Sequence, residues 1–186
     1  MSELRDRLRA LPGFPPDLPV LDGDAVPENP QALFLDWLED AIASGARQPH
    51  AMTFTSLDAS GFPVGRTLIL KDIDENGYQV STHRTSRKGE QLAEDDRASM
   101  VFFWRESGRQ VRITGTVAAL SKEISQADWG SRPNFTGEPN PDWQVYALVP
   151  SEYEFMQARE DRKHTRIEYT LSGGRWTHGH VPTPAG

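Results

Sequence analysis

The chain has 186 residues, and its 27 acidic and 20 basic side chains give a net charge of −7, which argues against general binding to nucleic acids or anionic membranes. It contains no cysteine, which excludes disulfides, thiolate metal sites and a cysteine nucleophile. No run of about 18 apolar residues occurs and the N-terminus is charged, so we expect neither a membrane-spanning helix nor a secretory signal. The expected location is therefore the cytoplasm.

Residues 1–28 are rich in proline, because six of the 14 prolines fall within the first 30 residues. Proline cannot continue a helix or a central strand, so this segment, the N-terminal arm, is predicted to be extended. Its few apolar residues could let it lie on this domain or on a partner. A partly disordered leader is the alternative.

Residues 29–186 are predicted to form a single domain. Asn29 can cap a helix that begins at Pro30 and ends at Gly45, and two more helices are predicted at residues 86–94 and 121–131. β-branched and apolar residues between glycine-containing loops predict strands at residues 51–57, 64–73, 78–82, 99–105, 110–120, 144–148, 153–157, 166–171 and 175–178. Many short strands with helices at the margins indicate a mainly β fold, an antiparallel sheet closed into a barrel.

The strongest chemical signal is a group of basic and hydroxyl residues on neighbouring elements. Arg66 and Lys71 share one predicted strand, on which alternation places them on opposite faces. Hydroxyl residues further on lead into a helix that begins with Arg87 and Lys88. Helix N-terminal amides, hydroxyls and cations together are typical of a phosphate site. A solvated basic helix start is the alternative.

Two weaker signals follow. Gln110 on a strand can offer both a donor and an acceptor to a heterocycle, although an edge-strand polar residue is the simpler interpretation. Arg162, His164 and Arg166 share one side if their segment is extended, which suits an anionic or aromatic ligand, and a solvated basic turn is the alternative.

Other chemistries lack support in the sequence. Neither a Walker pattern nor a dinucleotide fingerprint follows a strand. Nucleophile elbows, zinc helices and carboxylate pairs are also missing from the pattern, which leaves hydrolytic classes without support. His178 and His180 have no identifiable co-ligands, so no metal site is predicted.

The order of these motifs resembles the pyridoxamine 5′-phosphate oxidase family. The resemblance spans residues 34–176 and rests on Arg66-Thr67-Leu68-Ile69-Leu70-Lys71, Thr82, Ser86-Arg87-Lys88, Arg109-Gln110-Val111, Ser131-Arg132-Pro133 and Arg162-Lys163-His164-Thr165-Arg166. It implies a split β-barrel that forms a homodimer with two FMN molecules at the subunit interface. It also implies oxidation of pyridoxamine or pyridoxine 5′-phosphate to pyridoxal 5′-phosphate, with O2 as acceptor and H2O2 released.

The resemblance also implies residue roles. The expected FMN-binding residues are Arg66, Leu68, Leu70, Lys71, Ser81, Thr82, Ser86, Arg87, Lys88, Gln110, Met156 and Arg166. Gln110 and Arg166 are expected to reach FMN from the other subunit. The expected substrate-binding residues are Lys71, Asp128, Arg132, Thr136, Arg162 and His164. Arg162 and His164 are the expected catalytic pair over the substrate ring, and Arg162 would act mainly by positioning.

The sequence departs from the family pattern in four places. Asp128 stands where the phosphate pocket usually has a tyrosine, and a carboxylate there repels a phosphate unless it pairs with Arg132. Met156 replaces a tryptophan at the flavin. The segment between Arg132 and Val145 is much shorter than usual, and the tail at residues 179–182 lacks the usual basic ending. These departures leave open an FMN oxidase for another reduced aromatic metabolite, of the phenazine-biosynthesis type, or a non-catalytic flavin- or B6-binding protein.

Overall fold

The computed structural model describes residues 2–133 and 135–182. Within these ranges the chain forms four helices, α1 (Glu3–Arg9), α2 (Pro30–Ala43), α3 (Arg87–Glu94) and α4 (Lys122–Gly130). The nine strands of the same ranges are β1 (Ala51–Leu57), β2 (Pro63–Ile69), β3 (Asp72–Asp74), β4 (Gly77–His83), β5 (Arg97–Trp104), β6 (Arg109–Ala119), β7 (Trp143–Gln157), β8 (Thr165–Ser172) and β9 (Arg175–His180). None of the helices described here has the length and apolar character needed to span a membrane.

All the strands join one antiparallel sheet. Its order is β2-β1-β5-β6-β7-β4-β3, and β8 and β9 extend from β7. The predicted mainly β fold, an antiparallel barrel with peripheral helices, is confirmed. The loops at residues 58–61 and 74–77 each join two antiparallel strands, β1 to β2 and β3 to β4.

The barrel closes where the chain leaves β2. The sequence predicted one strand over residues 64–73, and this prediction is wrong because the strand divides at Leu70 and Lys71. The Leu70 amide donates to the His50 carbonyl (2.8 Å), whereas the Lys71 amide donates to the Gln79 carbonyl (2.9 Å). These two successive residues therefore hydrogen-bond to opposite sides of the sheet, one beside β1 and the other on β4, and this closes the barrel.

Strand β7 spans the region for which two strands, residues 144–148 and 153–157, were predicted. It has 15 residues and pairs with β6 along most of its length. Its first part also pairs with β4 and its last part with β8. The register shifts at Thr114 and Gly115, opposite Pro150, and a Cβ on Gly115 would collide with the Val149 carbonyl. This irregularity bends β7 without breaking it. In the sequence, Pro150 indicated a break, and two strands were therefore predicted in place of one.

Helix α2 begins as predicted. Asn29 caps it by accepting from the Gln31 amide (3.0 Å), and Pro30 occupies its first turn. The helix buries Phe34 completely, with its ring centroid 5.1 Å from that of Tyr78 and 4.9 Å from that of Phe102. Each large apolar side chain buried in this way contributes about 1.5–3 kcal/mol. The helix is thereby fixed against the sheet.

The N-terminal arm is only partly extended. Helix α1 lies ahead of the first proline, Pro12, and the sequence pattern did not predict it. The rest of the arm contacts the domain of its own chain. Leu21 and Val26 pack against the core, and the Tyr169 hydroxyl donates to the Pro27 carbonyl (2.7 Å).

A buried arginine joins α2 to the sheet. Arg109 donates from Nη1 to Asp40 Oδ2 (2.7 Å) and from Nε to Gln157 Oε1 (3.1 Å). Its guanidinium carbon lies 4.6 Å from the centre of the Trp37 ring. Removing this side chain would therefore free two hydrogen-bonding groups and one aromatic face.

We expect Arg109→Met to lower the free energy of unfolding by about 2 kcal/mol, because it removes a charged hydrogen bond from a buried position. Asp40→Asn is the matched control and should cost less, since the Asp40 side chain is 66% exposed and Arg109 keeps its other contacts. Urea unfolding followed by circular dichroism measures both. An equal or larger loss for Asp40→Asn would contradict this account.

Candidate functional site

Two positive charges meet beside the start of α3. Arg66 donates to Ser56 Oγ (2.7 Å) and to Gln91 Oε1 (2.6 Å). Burial lowers the pKa of Arg66; the pKa of Lys88 is lowered first by burial and then by the charge of Arg66. In the part of the chain that the structure describes, neither cation has a carboxylate partner. Half-buried cations that repel each other are a site for an anion.

Hydroxyl groups line the same region. Ser86 caps α3 by accepting from the Gly89 amide (3.3 Å), and its hydroxyl donates to the His83 carbonyl (2.7 Å). Thr82 Oγ1 lies 3.1 Å from Ser86 Oγ. Ser81 Oγ is buried and has no hydrogen-bond partner among the described residues. Because successive side chains of a strand point to opposite faces, Ser81 does not share the face of β4 from which Thr82 meets Ser86.

The other predicted cofactor residues of this region differ in exposure. Arg87 is exposed at the first residue of α3, and Lys71 is exposed just beyond the end of β2. Leu70 belongs to the core and Leu68 packs against it. On the outer face of the sheet, these two leucines can therefore contact a ligand only through their backbone atoms.

Sequence reasoning missed Ser56, Gln91 and Gly89 in this cluster. Gln91 follows Lys88 by three residues, so helical spacing could have found it. Ser56 comes from β1 and carries no local signal. A Cβ on Gly89 would collide with the Arg84 and His83 carbonyls, so this glycine lets α3 begin close to the end of β4.

A second group lies on one face of β6, β7 and β8. Gln110 is the direct cross-strand neighbour of Met156, and Met156 is that of Arg166. Arg166 Nη1 donates to Glu154 Oε1 (2.5 Å), and the other oxygen of Glu154 lies 3.4 Å from Arg112 Nη2. The pattern did not single out Glu154, although alternation places it on the same face as Met156. This carboxylate fixes the guanidinium of Arg166.

Arg162 and His164 lie in the turn between β7 and β8. Arg162 has a φ of 59°, so the segment is not extended, and the predicted common side of Arg162, His164 and Arg166 does not form. His164 Nδ1 accepts from the Arg159 amide (3.1 Å), which leaves Nε2 to carry the proton of the neutral ring. The His164 ring also meets Phe14 edge-on at 6.3 Å, beside a cavity of about 670 Å³ that Arg162 lines.

Arg132 lies against two tryptophans. Its guanidinium carbon is 4.7 Å from the centre of the Trp129 ring and 4.5 Å from that of Trp143. Asp128 does not pair with Arg132; it accepts a hydrogen bond from the Trp143 indole (2.7 Å). Thr136 is exposed on the loop that follows.

His83 lies between the cluster at the start of α3 and the tryptophans that contact Arg132. Its carbonyl accepts from Ser86, and its ring centroid is 5.1 Å from that of Trp143. Among the described residues, no hydrogen bond, ion pair or ring contact joins the residues around Arg66 or Arg132 to Gln110, Arg166 or His164 of the same chain. One chain therefore brings the predicted phosphate cluster next to Arg132 and leaves the other predicted residues apart.

The sequence matches two family models. Residues 38–157 match the model described as pyridoxamine 5′-phosphate oxidase, and residues 143–180 match the pyridoxine 5′-phosphate oxidase C-terminal dimerisation region. A pyridoxine/pyridoxamine 5′-phosphate oxidase of Paraburkholderia phymatum is 36% identical, over 84% of this chain and 90% of the relative. A protein of the same name from Cyanothece sp. is also 36% identical, over 81% and 87%.

Solved structures agree with the sequence matches. PhzG from Burkholderia lata 383, solved in complex with tetrahydrophenazine-1-carboxylic acid, has a TM-score of 0.82 and 27% identity, and the match covers 90% of this chain and 98% of that one. A pyridoxamine 5′-phosphate oxidase-related, FMN-binding protein from Nostoc punctiforme has a TM-score of 0.72 at 15% identity, over 83% and 98%, which bears on the fold alone.

The fold is therefore that of the FMN-binding split barrels. The chain belongs to the pyridoxamine 5′-phosphate oxidase family and is, with that family, an FMN-dependent oxidoreductase. The dimerisation region at residues 143–180 covers the strands that carry Met156 and Arg166.

We expect Lys88→Met to weaken FMN binding about 10- to 100-fold, because one charge-assisted contact to the phosphate is lost. The FMN-free protein should lose no thermal stability, since the substitution removes the repulsion between Lys88 and Arg66. Fluorescence titration with FMN and thermal unfolding measure the two effects. Lys122→Met, at the exposed first residue of α4, is the control. Unchanged FMN affinity in Lys88→Met would remove Lys88 from the site.

We expect Glu154→Gln to weaken FMN binding several-fold, because Arg166 loses the carboxylate that holds it at the surface of the sheet. Glu168→Gln is the matched control, since Glu168 is the cross-strand neighbour of Glu154 on β8. The same titration measures both variants. Equal effects of the two substitutions would show that only the surface charge matters.

Proposed function

We propose that the protein is an FMN-dependent oxidase that converts pyridoxamine or pyridoxine 5′-phosphate to pyridoxal 5′-phosphate, with O2 as acceptor and release of H2O2. The observation that carries the proposal is the pair of half-buried cations, Arg66 and Lys88, which have no carboxylate partner in the described part of the chain. The relatives named as pyridoxine/pyridoxamine 5′-phosphate oxidases support the choice of substrate.

FMN fits the cluster of cations and hydroxyls at the start of α3. The phosphate would lie between Arg66, Lys88 and the N-terminus of α3, where backbone amides and the exposed Arg87 add positive potential. Thr82 and Ser86 offer hydroxyls beside it, and the outer edge of residues 68–71 would follow the ribityl chain and ring. When bound, FMN supplies the electron acceptor for the substrate and passes the electrons to O2.

A homodimer would complete this site. Gln110, Met156 and Arg166 form one row on a sheet face within the dimerisation region, away from the phosphate cluster of their own chain. We propose that this row contacts the FMN bound by the partner subunit. Met156 would give the flavin an apolar, polarizable neighbour in place of an aromatic ring.

The substrate would be held at both ends. Arg132 and Lys71 would bind its phosphate, with Thr136 on the adjoining loop, while Arg162 and His164 would lie over its ring. The hydrogen bond from the Arg159 amide fixes the ring of His164. Both residues would act by orienting the substrate carbon that is oxidised, a contribution that depends on placement within an ångström or so.

A second candidate substrate is a reduced aromatic carboxylic acid, which is the class of ligand named for the Burkholderia lata structure. Asp128 favours this second candidate, because its carboxylate accepts a hydrogen bond from the indole of Trp143, and that indole lies against Arg132. A negative charge at that place repels a phosphate dianion more strongly than a carboxylate monoanion.

Anaerobic mixing of the FMN-loaded protein with pyridoxamine 5′-phosphate tests the proposal. We expect the visible absorbance of the flavin to bleach and then to return with stoichiometric H2O2 when air is admitted, because the substrate is the only reductant present. Bleaching by a reduced aromatic acid alone would select the second candidate. A flavin that neither compound reduces would indicate a binding protein without turnover.

A further inference from the structure

We infer that Trp143, together with Trp129, is a positioning residue that presents Arg132 to the oxyanion of the substrate. The inference rests on the proposed function, in which Arg132 binds that oxyanion. We call Asp128, Trp129, Arg132 and Trp143 the arginine clamp.

Both indoles lie against the guanidinium of Arg132, on the same side of it. Its carbon lies 4.5 Å from the centre of the Trp143 ring and 4.7 Å from that of Trp129, and the ring centroids are 5.2 Å apart with a tilt of 53°. A guanidinium over an aromatic face is attracted by the ring's quadrupole and keeps its N–H donors in its own plane. Arg132 is thereby held without using its N–H groups.

Those N–H groups remain available. In the described ranges the Arg132 side chain makes no hydrogen bond and no ion pair, although it is half-buried directly after the end of α4. A planar fork of donors in that state matches the two oxygens of a carboxylate or phosphate. The clamp therefore points to an oxyanion rather than to a neutral group.

The tryptophans are themselves fixed. Trp143 is 9% exposed, and its indole N–H donates to Asp128 Oδ2 (2.7 Å). The Trp129 indole donates to the Glu138 carbonyl (2.9 Å), and the His83 ring meets Trp143 edge-on. Asp128 thus has a role that the motif comparison did not suggest: it anchors the ring that holds Arg132.

The test compares substrates with and without the anionic group. In FMN-loaded protein, kcat and KM are measured for pyridoxamine 5′-phosphate and for pyridoxamine. We expect Trp143→Leu to lower the ratio of the two kcat/KM values about tenfold, through the KM of the phosphate ester. Trp143→Phe keeps a ring but loses the bond to Asp128, so its ratio should fall only about threefold.

The control is Trp176→Leu, which removes a half-buried tryptophan that packs against the core from β9. It should change both substrates alike. If Trp143→Leu also changes both substrates alike, its role is structural only and the inference is overturned.

A separate measurement keeps the inference testable if the proposed substrate is wrong. If the parent oxidises a reduced aromatic acid instead, the same ratio is measured with that acid and its methyl ester. If it oxidises neither, calorimetric titration of the FMN-loaded protein with inorganic phosphate and with benzoate replaces kinetics. We expect binding of one of these anions that Trp143→Leu weakens about tenfold. Binding of neither anion by the parent, or equal binding by the variant, would overturn the inference.

Discussion

Strands β6 and β7 approach each other closely at Gly115, and this contact controls how the neighbouring strands are arranged. The Val149 carbonyl occupies the space that a Cβ would need, so the two strands stay paired while β7 bends. Because of that bend, one strand pairs with β4 at its start and with β8 at its end. Trp143 of the arginine clamp and Met156 of the sheet-face row are consequently placed by a single element.

The distribution of charge separates arginines that a carboxylate holds in place from cations that have no such partner among the described residues. Arg109 and Arg166 each have a carboxylate partner, and these pairs fasten a helix or a sheet face. Arg66, Lys88 and Arg132 have none among the described residues, in a chain whose net charge is −7. Leaving these cations unpaired costs stability in the free protein, and an anionic ligand that binds only the folded state recovers it.

Asp128 shows how a substitution in a motif can be misread from sequence. Considered alone, it places a negative charge where a phosphate is expected, unless Arg132 neutralises it. In the structure the carboxylate accepts from the indole of Trp143, and that indole lies against Arg132. The acid therefore supports the cation through an aromatic ring, and its effect on substrate choice is one of charge and distance rather than of direct pairing.

Features that depend on near neighbours could be predicted from the sequence alone. The caps Asn29, Ser86 and Ser121 were predictable because each bonds within three residues, and the motif order identified the family. The division of the predicted strand at residues 64–73 and the contact between Trp143 and Arg132 arise only when the chain is folded. Such contacts depend on which strands pair and in what register, and no local pattern carries that information.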